Sequence, residues 1–161
     1  VHNMLTLAQV GPDDVVYDLG CGDGRVIITA ARRFGARAVG IEIDPFRYLW
    51  CQMFISILGL RRRVSVIFGD FFRQDLCNAD VVTCYLLQDT NQRLVLKLQK
   101  EMRLGARIVS NTFTFVGLDP VREFGSARLY VIDREPGSST TREAKSNTNM
   151  VRVPGREGPV N

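Results

Sequence analysis

The sequence is almost without histidine: His2 is the single one in 161 residues, and it stands near the start of the chain. A histidine base and a histidine-built metal centre therefore have little to work with. Cysteine is sparse too. The four present, Cys21, Cys51, Cys77 and Cys84, lie far apart with no Cys-x-x-Cys pair, which argues against a zinc site. No apolar run reaches the ~18 residues that a membrane span needs, and no basic stretch leading into an apolar core reads as a secretory leader. A reducing, cytoplasmic setting is the default expectation. Acidic residues are in mild deficit: the formal net charge is +4. The excess comes mainly from arginine and most simply solvates the surface, with attraction to an acidic partner as the sharper alternative.

What is present suits one domain with one core, since 45% of the residues are hydrophobic and the length is that of a single α/β unit. Residues 15–19 form a short apolar run that ends in a glycine-rich turn at 20–24. Val26, Ile27, Ala30 and Ala31 then recur at helical spacing, with Gly35 placed to stop the helix. A second strand is expected over 38–43, and a helix over 45–58 opened by Asp44 as N-cap with Pro45 at its first position. Strands over 64–68, 80–85 and 107–110, with a helix over 90–103, continue the alternation. That order predicts a mostly parallel sheet covered on both faces. Beyond Ser110 the alternation stops, and the extended runs 113–116 and 128–132 are expected to pair antiparallel at one edge. The prediction is an α/β, Rossmann-like three-layer sandwich with a seven-stranded sheet over residues 1–133. Residues 134–161 are polar, with isolated apolar positions, and read as a disordered tail.

The chemistry centres on Asp18-Leu19-Gly20-Cys21-Gly22-Asp23-Gly24, an acid followed by three glycines at alternate positions between a strand and a helix. Glycine permits positive φ and lets a ligand lie against bare backbone. The G-x-G-x-x-G dinucleotide pattern fails because Arg25 stands where its third glycine belongs, and no Walker Gly-Lys-Ser/Thr occurs at this turn. Asp18 and Asp23 would also add negative charge beside a pyrophosphate. S-adenosylmethionine carries a sulfonium and an ammonium and no phosphate, so an acidic rim suits it better. Glu42 ends the second strand at the switch point, where a carboxylate can accept both ribose hydroxyls of either cofactor class. Gly69-Asp70-Phe71 follows the third strand, where an acid can take an adenine amino group and a ring can cover its face. Singly, Asp18 can be read as a turn former, Glu42 as a surface charge and Asp70 as a helix cap. Together they line one rim.

The segments 15–25, 38–45, 69–72 and 79–87 resemble the class I methyltransferases. More narrowly, the stretch 83–91, with Tyr-Leu-Leu and a nearby Asn, is similar to the small archaeal protein-lysine methyltransferases and their mitochondrial relatives. The resemblance covers roughly residues 4–133. It implies S-adenosyl-L-methionine as cofactor, with Asp18, Gly20, Cys21, Gly22 and Gly24 in the methionine-binding loop. Glu42 would be the ribose-binding acid, beside Ile43, and Asp70 the adenine-binding acid, beside Phe71. Cys84 and Tyr85 would face the methionine end and the incoming nucleophile. Tyr85 and Asn91 are the catalytic candidates, with Tyr85 orienting the amine and Asn91 or Phe113 lining its channel; a packed strand-end aromatic is the equal alternative for Tyr85. A protein lysine side chain is the implied acceptor, and no metal is implied.

Rival readings have weaker support. The Asn/Asp-Pro-Pro-aromatic motif of amino-group base methylation is absent, since Cys84-Tyr85-Leu86-Leu87 does not match it, and no cysteine follows a proline as C5 methylation usually requires. Arg61-Arg62-Arg63 can be read as a phosphate contact but more simply as solvated charge. A small-molecule acceptor stays open, as does a catalytically idle S-adenosylmethionine-binding partner protein. The helix 45–58 carries more apolar residues than one buried stripe needs. Either its outer side meets another subunit or a membrane surface, or the sheet edge is covered unusually deeply; packing is favoured over membrane, with homo-oligomer or partner docking as its form.

Overall fold

The computed structural model describes residues 1–112, 114, 115 and 117–133. The expected tail over 134–161 lies outside them, as do Phe113 and Val116. The elements are α1 (His2–Leu7), β1 (Val15–Leu19), α2 (Arg25–Phe34), β2 (Arg37–Glu42), α3 (Pro45–Ile57), β3 (Val64–Phe68), β4 (Val81–Cys84), α4 (Gln88–Glu101), β5 (Arg107–Asn111), β6 (Arg122–Phe124) and β7 (Ala127–Val131), with a 3-10 turn at Phe71–Arg73. They build a seven-stranded sheet of order β3-β2-β1-β4-β5-β7-β6. The first five strands in that order are parallel, and β7 runs antiparallel to both β5 and β6. The fold is the Rossmann-like three-layer sandwich that the alternation of elements predicts.

Two cores lie on the two faces of the sheet. Val16, Ala38 and Val64 point to one face, where Leu5 of α1, Ile27 of α2 and Ile55 of α3 cover them. Leu19, Ile41, Val82 and Ile108 take the other and meet Leu94 and Leu98 of α4. Period-two alternation along each strand makes this division. β4 sits in the middle and is buried along its whole length. The helix signals operate as read: the Asp44 side chain accepts from the N–H groups of Phe46 and Arg47 at 2.9 and 3.0 Å, and α2 ends on Gly35 at φ 72°.

Two parts of the chain differ from expectation. Of the expected strand 113–116, the described residues Thr114 and Phe115 have no regular structure, and Phe115 is buried edge-on against Tyr130 with centroids 5.2 Å apart. Its apolar character serves packing and not pairing. The true partner of β7 is β6, an exposed edge strand joined to it through Gly125 and Ser126. Its polar residues carry no buried alternation, so hydrophobic patterning passes over it. The second difference is α1, which caps the β5/β7 end of the sheet. Arg107 fastens it, donating from Nη1 to the carbonyls of Ala8 and Gln9 at 2.7 and 3.1 Å and pairing through Nη2 with Asp14.

The glycine-rich turn leans on β2 through a single bare position. A Cβ at Gly40 would stand 2.5 Å from Cys21 Sγ and 2.9 Å from both Cys21 Cβ and Ile27 Cδ1. Gly40→Ala is therefore expected to destabilise the fold by about 2 kcal/mol, seen as a fall in Tm of roughly 6 °C by scanning calorimetry. An unchanged melting temperature would show that the loop does not depend on this approach.

Candidate active site

The acids at the ends of β1, β2 and the turn after β3 stand side by side because these strands are neighbours in the sheet. Asp18, near the end of β1, is only 6% exposed. The Thr83 hydroxyl, from the adjacent β4, donates to its Oδ1 at 2.7 Å. Burial is the main force pushing the Asp18 carboxyl up to about 7. The Thr83 hydrogen bond opposes that shift, and the nearby charges of Asp23 and Glu42 add to it.

From Asp18 the chain enters the glycine loop. The N–H groups of Gly20 and Cys21 both donate to the Ile41 carbonyl, at 2.9 and 3.1 Å, so the loop is fastened to β2. Gly22 takes φ 56°, and a Cβ added there would meet nothing within 4 Å. The loop thus presents bare backbone to open space. Gly24 at φ 79° fits tightly beneath, where a Cβ would collide with Cys51 Sγ on α3.

Glu42 ends β2 and is buried. Its Oε2 accepts from Gly22 N–H at 2.7 Å, while Oε1 accepts from Ile43 and Asp44 N–H at 3.0 and 2.9 Å. A carboxylate offers roughly four lone-pair directions, so three N–H donors leave about one for a ligand hydroxyl. Asp70 Oδ1 accepts from Phe72 N–H at 2.9 Å and caps the 3-10 turn, and Gly69 N–H donates to the Glu42 carbonyl at 2.9 Å. The cap reading of Asp70 is realised.

Between the loop, α1 and α3 lies a cleft of about 880 Å³, whose walls include Asp18, Gly20, Gly22, Phe46, Trp50 and Tyr85. Cys21 and Cys84 also contribute to it. Glu42, Ile43, Asp70 and Phe71 lie along the neighbouring strand ends, outside its walls. Phe71 packs on Phe72 with centroids 4.7 Å apart and against the α4-side core. The Cys21 thiol hydrogen-bonds Cys51, and that bond together with burial raises its pKa. Burial likewise pushes the Cys84 thiol up to about 12. Neither sulfur is poised as a nucleophile. Tyr85 is 69% exposed and lines the cleft.

Asn91 is corrected. Expected to line a channel, it is fully buried on α4, with Nδ2 donating to Ser110 Oγ at 3.4 Å and Oδ1 lacking a hydrogen-bond partner. It braces α4 on β5 and is no wall of the cleft. Cleft-lining residues that sequence reasoning did not single out as site residues include Val1 and Met4 at α1, Phe46 and Trp50 on α3, and Asn111 at the end of β5. Asn111 had a signal: it ends a parallel strand on the same edge as Asp18 and Cys84. Among the described residues no group of three or more His, Cys, Asp or Glu could hold a metal ion.

A parallel sheet of this order, with a glycine loop after β1 and a row of acids at the next strand ends, defines the Rossmann-like methyltransferase class. The model of the ANTKMT methyltransferase domain matches residues 18–122, and the chain belongs to that family of S-adenosylmethionine-dependent methyltransferases. It is 46% identical over 121 residues to a protein-lysine N-methyltransferase of Saccharolobus islandicus, covering 74% of this chain and 75% of that one. The adenine nucleotide translocase lysine N-methyltransferase of Mus musculus is 33% identical over 136 residues, covering 83% of this chain and 58% of the relative. Among solved structures, an RNA methyltransferase from Salinibacter ruber in complex with S-adenosyl-L-homocysteine superposes with a TM-score of 0.79 at 40% identity, covering 83% of this chain and 90% of that one.

The residues fit this cofactor at its charged end. A buried carboxyl held near neutrality gains most from a cation beside it, and the open backbone at Gly22 leaves room for the ligand. In the free protein the folded chain keeps the Asp18 proton up to about pH 7, whereas an unfolded chain releases it near pH 4. The stabilising effect is full below that lower value and lost as pH rises through about 7. Asp18→Asn keeps an acceptor for Thr83 without the charge. At pH 8 it should raise Tm by about 6 °C, roughly 2 kcal/mol, with the gain shrinking towards zero at pH 4. By calorimetry it should weaken S-adenosylhomocysteine binding at least about tenfold. Equal melting of the two proteins at pH 8 would refute the buried-charge account.

Proposed function

We propose that the chain transfers a methyl group from S-adenosylmethionine to the side-chain amine of a protein lysine. The observation that carries this reading is the 46% identity to an archaeal protein-lysine N-methyltransferase over three quarters of both chains, supported by a cleft whose lining includes Asp18, the glycine loop and exposed Tyr85. The methyl-transfer unit is residues 1–133. Four free cysteines fit a reducing, cytoplasmic setting, and no described helix is long and apolar enough to cross a membrane.

When bound, the cofactor supplies an electrophilic methyl carbon for in-line displacement. The chain's own part is to hold and orient. Asp18, with the loop Gly20, Cys21, Gly22 and Gly24, binds the cationic amino-acid end. Glu42 and Ile43 take the ribose side, Asp70 and Phe71 the base side. A lysine acceptor starts as an ammonium with pKa near ~10.4 and reacts only after losing its proton. The aromatic mouth made by Phe46, Trp50 and Tyr85 favours the neutral amine by desolvation. The Tyr85 hydroxyl receives one amine N–H and aims the lone pair, so positioning does most of the work.

RNA is the second reading, favoured by the name of the Salinibacter ruber structure at 40% identity. Incubation of the protein with radiolabelled cofactor and a cell lysate separates the two. Label is expected in protein bands, resistant to ribonuclease and recovered as methyl-lysine after hydrolysis. Label in RNA would transfer the assignment to nucleic acid. Tyr85→Phe should lower kcat by about tenfold with little change in cofactor binding, as loss of one orienting hydrogen bond implies.

A further inference from the structure

α3 has its polarity reversed. Its inward side gives Cys51 and Ile55 to the core, while Phe46, Leu49, Trp50, Met53 and Ile57, spaced three or four apart, form one stripe on the opposite side. All five are exposed, Phe46 by 82% and Ile57 by 70%. The sole charged residue of the helix is Arg47, and a surface helix of a globular domain normally turns its charges outward. The deeper covering of the sheet edge that the sequence left open is not found, since the stripe faces solvent. An apolar stripe of this extent marks association.

The charge on the neighbouring segments argues for the occupant of the stripe. Arg61 and Arg62 follow α3, and Arg32 and Arg33 form the last turn of α2; all four are exposed, as is Arg47. α2 covers the same sheet face as α3, and Arg63 Nη1 donates to the Gly35 carbonyl at the α2 C-cap, drawing the loop after α3 to that border. Neither helix contains an acidic residue. The acids at their N-terminal ends are engaged, Asp23 by Arg25 at 2.7 Å and Asp44 as the α3 cap.

We propose that this face docks on an anionic lipid surface. The stripe enters the boundary between headgroups and acyl chains, and the arginines meet the lipid phosphates. A second copy suits the face less well, because a two-fold pairing would bring two arginine borders together with few acids to receive them. Phe46 and Trp50 also line the cleft, so the cleft opens at headgroup level. The docking is independent of which acceptor is methylated.

Trp50 is the single tryptophan of the chain, which makes its fluorescence a direct reporter on the 161-residue chain. Vesicles of phosphatidylcholine with phosphatidylglycerol should shift its emission to the blue, lipids brominated on the acyl chain should quench it, and salt should weaken both effects. Phosphatidylcholine alone should do neither. Leu49→Glu/Ile57→Glu and Arg61→Gln/Arg62→Gln should each lower partitioning by roughly tenfold or more, with S-adenosylhomocysteine binding and thermal melting retained. If the first variant does not fold, quenching of the unmodified protein still decides. Emission indifferent to anionic vesicles would overturn the proposal. So would a concentration-dependent blue shift without lipid accompanied by a doubled mass in sedimentation, which would assign the face to a second copy.

Discussion

The three N–H groups gathered on the Glu42 carboxylate hold the centre of the molecule together. They come from the glycine loop, from the residue after β2 and from the N-cap of α3, so one side chain sets where the loop ends, where the helix begins and how far apart they stand. A buried carboxylate accepting three backbone donors is costly to disrupt, because each donor would be left without a partner in a place water reaches poorly. The bare shelf above Gly22 and the wall made by Phe46 and Trp50 both follow from that knot.

Asp18 is the opposite case. One hydroxyl satisfies it, burial opposes its charge, and two other acids lie near. The free protein therefore holds a carboxyl whose ionisation is unfavourable until a cation arrives. A preorganised site of this sort recovers on binding what it gave up on folding. The neighbouring strands β1 and β4 are what allow it, since their register puts Thr83 beside Asp18.

Much of this was legible in the residues. The apolar runs of β1 to β5 mark a parallel sheet because buried strands need little else, and Asp44-Pro45 and Gly35 mark helix ends through local backbone chemistry. The glycine loop and its acids were legible for the same reason: the constraint is carried by the residues that show it. β6 was not, because an exposed edge strand has no apolar alternation, and α1 was not, because six residues give too little periodicity. Phe115 misled by being buried without pairing. Asn91 was singled out by sequence distance alone, and its place on α4 turns its amide to Ser110. The positions of Phe46 and Trp50 in the cleft wall depend on the tilt of α3 against β3, which no local pattern encodes.

The close fit of Gly24 against Cys51 has a mechanical consequence. The glycine turn and the inner side of α3 share a contact with no slack for even a methyl group. A tilt or rotation of that helix must therefore reach the loop as displacement, much as pressure on one end of a short lever is felt at the other. The shape of the glycine turn is thus tied to the seating of α3 twice over, by the Cys51 sulfur from below and by the Glu42 carboxylate that joins Gly22 to the α3 N-cap.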